Sequence, residues 1–252
     1  MASSRFGIRV APLLLRLALG LTFLWAGLGK FVATAPVSGD DAAILANMGL
    51  TLAPPVSAPA AATPGSPALT TVSFSQTAPK SFLASDFPSP VNTLRVNMIA
   101  LSVYRAAHPA DKADGSPGMA LWPVKLADGR LPIYFAWTAG LSELVGGSFL
   151  ILGFLARLSA FFVSGTMVGA LWLAQIGPAL QSGNTRWGFL PNYDLYAGGD
   201  TSYVGVLWPL MLLMAALSVM LLGAGALSVD SVLFGPSKPP PPRPAPPPKP
   251  AA

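Results

Sequence analysis

A carboxylate inside an apolar helix is the residue of this chain that most needs a chemical explanation. Glu143 stands ten residues into an apolar block that opens at Ile133, about 15 Å along a helix rising 1.5 Å per residue. Near the middle of a membrane-sized segment, an ionised group costs several kcal/mol unless it is paired. No other acid occurs in any of the four long apolar blocks. The cation best placed to meet it is Lys30, near the end of the first block. The expected depth gap of roughly 10 Å calls for extended side chains, a tilt or a bridging water. Such a pair has two readings. One is a structural ion pair, or a protonated acid, that fixes helix packing. The other is a proton relay, or a donor and acceptor for a quinone oxygen.

Other polar and aromatic residues extend these two readings. Arg16 lies deeper in the first block and is expected to snorkel or to meet the region of Arg157. With Lys30 and Glu143 it makes up the structural polar core. Gln175 lies in the third block, on a face continued by Trp172, Val168 and Gly165. Trp25, Trp137 and Trp172 could line a flat aromatic pocket suited to a quinone ring, although packing and interface anchoring are the commoner uses of membrane tryptophans. The candidate quinone or proton site is therefore Glu143, Lys30, Trp137 and Gln175. His108 is the single histidine, and no ligand cluster accompanies it, so no metal site is expected. Cysteine is absent, which excludes disulfides, thiolate nucleophiles and iron–sulfur ligation by this chain alone. Any redox chemistry needs a borrowed cofactor, and no intrinsic one is expected.

The elements that must position these residues are four apolar blocks: Pro12 to Val32, Ile133 to Leu155, Leu158 to Leu180, and Tyr203 to Leu227. Each is long enough to cross about 30 Å of hydrocarbon. The second and third are separated only by Ala156 and Arg157, which predicts an antiparallel hairpin with Arg157 at its turn. In the first block the spacing Arg16, Gly20, Phe23, Gly27, Lys30 keeps all five on one helical face. Its glycines mark that face as the inward one. Around Glu143, Ala136, Ala139, Gly140, Gly146 and Gly147 form a similar small-residue face. Gly165-x-x-x-Gly169 is a further close-packing motif.

Composition sets the class. With 52% hydrophobic and 10% charged residues and a mean hydropathy of +0.57, lipid is the expected solvent and a soluble enzyme domain is excluded. The net charge of +5 does not point to nucleic acid, because the basic residues border the apolar blocks or lie in a proline tail. The fold class is an all-α membrane protein: a four-transmembrane-helix bundle with a long extracytoplasmic insert and a disordered proline-rich tail.

The organisation follows: 1–32, N-terminus and first span; 33–132, insert; 133–180, second and third spans; 181–202, external loop; 203–234, fourth span and its end; 235–252, tail. Basic residues near the span ends place both termini in the cytoplasm of a bacterial-type inner membrane. Arg5, Arg9, the stretch Leu17 to Gly29 and Ala33-Thr34-Ala35 imitate a cleavable signal, but Arg16, Lys30 and the length of the block argue against one. Within the insert, Ala53 to Ala68 reads as a flexible linker. Val91 to Ala107 reads as a helix, either on the membrane face or packed within an external cap. Asp128-Gly129 between Trp122–Leu126 and Leu131–Phe135 reads as a β-hairpin. Trp187, Phe189, Tyr193 and Tyr196 suit the outer interface or a partner surface.

The run Arg16-x3-Gly20-x2-Phe23-x3-Gly27-x2-Lys30, then Glu143-Leu-Val-Gly146-Gly147 and Gly153-x3-Arg157, then Gly223-Ala-Gly225-Ala-Leu-Ser228-Val-Asp230, resembles the DoxX family, including the DoxD-type small subunit of thiosulfate:quinone oxidoreductase. The resemblance implies a four-helix membrane protein tied to redox or sulfur metabolism, in some members to detoxification complexes, with many members serving as accessory subunits. On that basis the expected role is an accessory subunit of a quinone-linked membrane redox complex, with quinone as the possible cofactor. The bilayer and other membrane or extracytoplasmic subunits would be its partners. The alternative is a structural or assembly subunit with no chemistry of its own. The hundred-residue insert, the proline tail and the lack of cysteine depart from a thiosulfate-handling pattern.

Overall fold

The computed structural model describes residues 2–52, 81–111, 115–193, 203–225 and 227–233, with side chains from residue 10 onward. The expected linker at 53–68, Tyr196 and the proline tail at 235–252 lie outside the described residues.

Among the described residues, four helices are long and apolar enough to cross a membrane: Val10–Val32, Leu131–Leu152, Ala156–Ser182 and Val204–Leu222. The first is the greater part of α1 (Ala2–Val32), the second is α4 (Leu131–Leu152) and the fourth is α7 (Val204–Leu222). The third is composite: α5 (Ala156–Ala170), a π turn over Leu171–Ile176 and α6 (Gly177–Ser182). Around the bundle α1 packs on α4, α4 on α5, α5 on α7, and α7 back on α1. Leu19, Phe23, Leu150, Val163 and Val219 fill its centre. Hydroxyls within the spans return to their own backbone, Thr22 donating to the Ala18 carbonyl, Ser164 to Ala160 and Ser218 to Met214, which leaves them no demand on lipid.

Glycine decides how closely α1 and α4 approach. A Cβ added at Gly147 would lie 2.5 Å from the Leu24 nitrogen, and one at Gly27 would lie 2.7 Å from the Leu144 nitrogen. Both helices therefore meet backbone to backbone. Gly20 lies against Ile151, Gly27 against Leu144, and Gly140 against Phe31, so the pair is antiparallel. Gly165 and Gly169 behave otherwise. No atom lies within 4 Å of a Cβ added to either, so the Gly-x-x-x-Gly motif of the third span makes no close contact within the described chain.

The insert builds a second core on one end of the bundle. Strand β1 (Thr34–Val37) pairs antiparallel with β2 (Val91–Leu94), Thr34 opposite Leu94 and Val37 opposite Val91. Helices α2 (Gly39–Asn47) and α3 (Asn97–Ala107) complete it. Leu45, Phe87, Val96, Ala100 and Leu101 are buried there together with Ala136 of α4, so cap and bundle share apolar packing. The expected helix over Val91 to Ala107 thus begins only at Asn97, its β-branched start being taken by the strand. Of its two readings, the one packed within the cap holds: Ala100, Leu101 and Val103 are each about 1% exposed or less.

Two expectations are corrected. Leu131–Phe135 is not a hairpin strand but the opening of α4, preceded by a 3-10 turn over Val124–Leu126. Pro132 cannot donate to a strand ladder, yet it fits the first turn of a helix, where its missing N–H is not needed. The turn between the second and third spans falls at Gly153–Leu155, where Gly153 (φ 66°) and Leu155 (φ 46°) adopt left-handed backbone. Arg157 lies instead in the first turn of α5.

Short strands β3 (Thr185–Arg186) and β4 (Leu190–Pro191) form a second antiparallel pair after α6. The short α8 (Val229–Leu233) follows α7.

Candidate functional site

Lys30 and Glu143 form an ion pair between α1 and α4. Glu143 is 4% exposed, whereas the Lys30 side chain remains a quarter exposed. The expected depth gap between them does not exist. With Gly27 against Leu144 and Phe31 against Gly140, Lys30 lies within about one turn of the level of Glu143. The first turns of α4 run past the end of α1 and pack on α3 of the cap. Ile133 therefore does not mark the level at which α1 ends, and counting depth from it placed Glu143 too far inside.

The cap also holds the lysine from behind. The Lys30 carbonyl accepts the Val96 N–H at 3.0 Å, and the Ala33 carbonyl accepts that of Arg95 at 3.0 Å. These bonds satisfy carbonyls that the end of a helix leaves open. The next residue, Phe31, has its ring 5.3 Å from that of Trp137, so one tryptophan of the expected set does lie close to the pair in sequence and space.

The other expected members are elsewhere. Gln175 accepts a hydrogen bond from the Tyr193 hydroxyl at 3.1 Å and lies against Gly205 at the start of α7. Pro178 cannot fit an uninterrupted α-helix without meeting the carbonyl four residues earlier, and the π turn before it widens the helix and turns Gln175 away from the face it would share with Gly165 and Val168. Trp172 donates to the Leu121 carbonyl at 3.2 Å. Trp25 is 80% exposed. The three tryptophans thus do not converge on one aromatic pocket.

Arg16 occupies the opposite end of the α1 stripe and does not snorkel. It is 1% exposed, and its guanidinium donates to the carbonyls of Ala224 at 2.6 Å and Leu227 at 2.8 Å. Gly153 lies against both the guanidinium and Ser228. Asp230 is close enough to act on its charge. The carboxylate of Asp230 accepts the N–H groups of Leu155 (2.7 Å) and Ala156 (2.9 Å), while its own N–H donates to the Gly153 carbonyl at 3.0 Å. An acid from beyond α7 therefore caps the start of α5 and holds the left-handed turn closed.

The roles of Asp230 and Ser228 were not foreseen from residue types. Ser228 carried a local signal, since a serine three residues before Ser231 reads as a helix N-cap, and its Oγ indeed accepts the Ser231 N–H at 3.1 Å. The reach of Asp230 to a turn 75 residues away in sequence has no local signature. Within the cap, Arg105 and Asp41 form a second ion pair. Among the described residues no group of three or more His, Cys, Asp or Glu could hold a metal ion.

Residues 98–176, from α3 through α4 and α5 to the end of the π turn, match the DoxX family model. That segment is similar to the DoxX family. The matched segment includes Glu143, Gly146, Gly147, Gly153 and Arg157, whereas the α1 stripe and the run from Gly223 to Asp230 lie outside it. No curated protein and no solved structure matches the chain. With four apolar spans and this domain, the chain is a multi-pass membrane protein whose immediate surroundings are the lipid bilayer.

Proposed function

We propose that this DoxX-like protein is an accessory subunit of a quinone-linked redox complex in a bacterial inner membrane, with both termini in the cytoplasm. The observation that carries the proposal is the Lys30–Glu143 pair, a buried acid joined to a partly exposed cation where the bundle meets its cap. Resemblance to a family tied to redox and sulfur metabolism supports it.

The residues fit one end of a quinone. Lys30 Nζ has further N–H groups beyond the one given to Glu143, and Trp137, 40% exposed, packs on Phe31, the residue after Lys30. Gln175 is engaged with Tyr193 and contributes nothing there. A quinone at this site would supply the electron-accepting chemistry. Lys30 would bind its oxygen and hold the orientation, and Glu143 would hold or release a proton at Oε2. Redox, membrane or extracytoplasmic partner subunits would meet the cap and the bundle faces.

A second reading has its own support. The pair lies where α1 and α4 approach closely, flanked by Gly27, Gly140 and Gly147, and an ion pair there would fix the register of α1 on α4. On this reading the protein is a structural or assembly subunit.

Affinity purification from native membranes in mild detergent, with mass spectrometry of the retained proteins and extraction of bound quinone, tests the first reading. A stoichiometric redox enzyme with retained quinone is the expected result, and recovery of the chain alone without quinone overturns it. Glu143→Gln separates the two readings. Activity of the complex falls while membrane abundance holds if the pair serves chemistry, and abundance itself falls if the pair is structural.

A further inference from the structure

At the Arg16 end of the bundle, a cavity of about 510 Å³ opens between the start of α5 and the end of α7, lined in part by Arg157, Gly223, Ser228 and Asp230. Along the outer seam of α4 and α5 runs a groove of about 320 Å³, floored by Gly146 and Ser159 and walled by Val145 and Phe162. Leu158 lines both. The cavity that holds Arg157 and the apolar groove thus adjoin at Leu158.

Arg157 brings a positive charge to the cavity. Its guanidinium lies over Gly223, with Nε 3.2 Å from where a Cβ would be, and among the described residues no carboxylate pairs with it. Asp230 is in the same cavity, but its two oxygens are taken by the N–H groups of Leu155 and Ala156. The groove is lined mainly by apolar side chains, with Thr138, Ser142 and Ser159 among them, and Ser142 is turned to its own backbone, donating to the Thr138 carbonyl at 2.8 Å. From Phe149 to Thr138 the groove follows twelve residues of α4, about 16 Å over the rises of 1.5 Å between them. Half the hydrocarbon thickness of a bilayer is about 15 Å.

We propose that this surface binds one anionic phospholipid, its phosphate on Arg157 and one acyl chain in the α4–α5 groove. The site is separate from the Lys30–Glu143 pair, and the proposal does not depend on the redox reading. A planar, always charged guanidinium suits a phosphate better than a lone ammonium would. A zwitterionic lipid offers the same chain without the net charge, and a free phosphate ester offers the charge without the chain.

The test uses the full chain in a neutral detergent, with native mass spectrometry after addition of phosphatidylglycerol, phosphatidylcholine or glycerol phosphate. One phosphatidylglycerol per chain should be retained in preference to phosphatidylcholine. Arg157→Gln should lower that retention about tenfold, the scale of one lost charge-assisted hydrogen bond. Val145→Trp, which fills the groove and leaves Arg157 in place, should lower it comparably. Arg186→Gln, removing an exposed arginine from β3, should leave it unchanged. Equal retention of the two lipids, or a loss with Arg186→Gln matching that with Arg157→Gln, overturns the proposal. Displacement of the lipid by glycerol phosphate at equal concentration also overturns it, by identifying the site as one for a free anion.

Discussion

Lys30 and Glu143 show how a membrane interior turns a polar residue into a commitment. Each would be costly alone at that depth, and together they are tolerated because the partner is close and the surrounding backbone is satisfied. Removing one partner should therefore cost more than removing both. Lys30→Met is expected to destabilise the bundle by about 3–5 kcal/mol, and Lys30→Met combined with Glu143→Leu to recover most of that loss. Unfolding in mixed detergent micelles measures both, and a double variant no more stable than the single one would contradict a coupled pair. Arg16 has a different arrangement, a fork spread over two carbonyls past the end of α7. Arg16→Lys keeps the charge but cannot span both carbonyls in the same geometry. About 1–2 kcal/mol of stability should be lost, one charged hydrogen bond's worth, and a neutral result by the same unfolding assay would show that charge alone holds that end.

Between helices, the contrast of two glycine motifs decides what sequence can and cannot say. Gly147 touches the backbone of α1 at the distance where a Cβ has no room, while Gly165 and Gly169 meet nothing. Both looked alike as small-residue spacing, because spacing fixes a face and does not fix a neighbour. Gly147→Ala is expected to cost about 1–3 kcal/mol by forcing α1 and α4 apart, whereas Gly165→Ala should be neutral or stabilising by up to about 1 kcal/mol through helix propensity. Melting temperatures of the two purified variants check this, and equal losses would remove the distinction. The four spans themselves were legible within a few residues, since a run of apolar residues long enough to cross a bilayer admits few alternatives. The π turn was not, although Pro178 announced a break, because a proline can kink, end or widen a helix and only packing chooses. Nor was the cap. Its strands hold four residues each, too short for an alternating pattern to stand out, and they pair across more than fifty intervening residues.

At the scale of the whole molecule, the two ends of the bundle differ in kind. One end carries the cap, with its own apolar core and the Arg105–Asp41 pair. The other carries Arg16, Arg157 and the chain after α7. The expected orientation puts the cap outside, because basic residues near span ends are retained on the cytoplasmic side and a long insert crosses largely regardless of its charge. The absence of cysteine makes this directly measurable, since any thiol introduced is the only one in the chain. His108→Cys and Trp187→Cys place thiols in exposed positions after α3 and α6, toward the cap, and Val232→Cys places one in α8, beyond α7. A membrane-impermeant maleimide added to intact cells should label the first two and reach the third only after permeabilisation. The reverse pattern would invert the molecule and move the basic end outside, which would also place the proposed phospholipid site in the opposite leaflet. Labelling of all three in intact cells would mean that the number of crossings between His108 and Val232 is even, where the bundle has three, α4, α5 with α6, and α7.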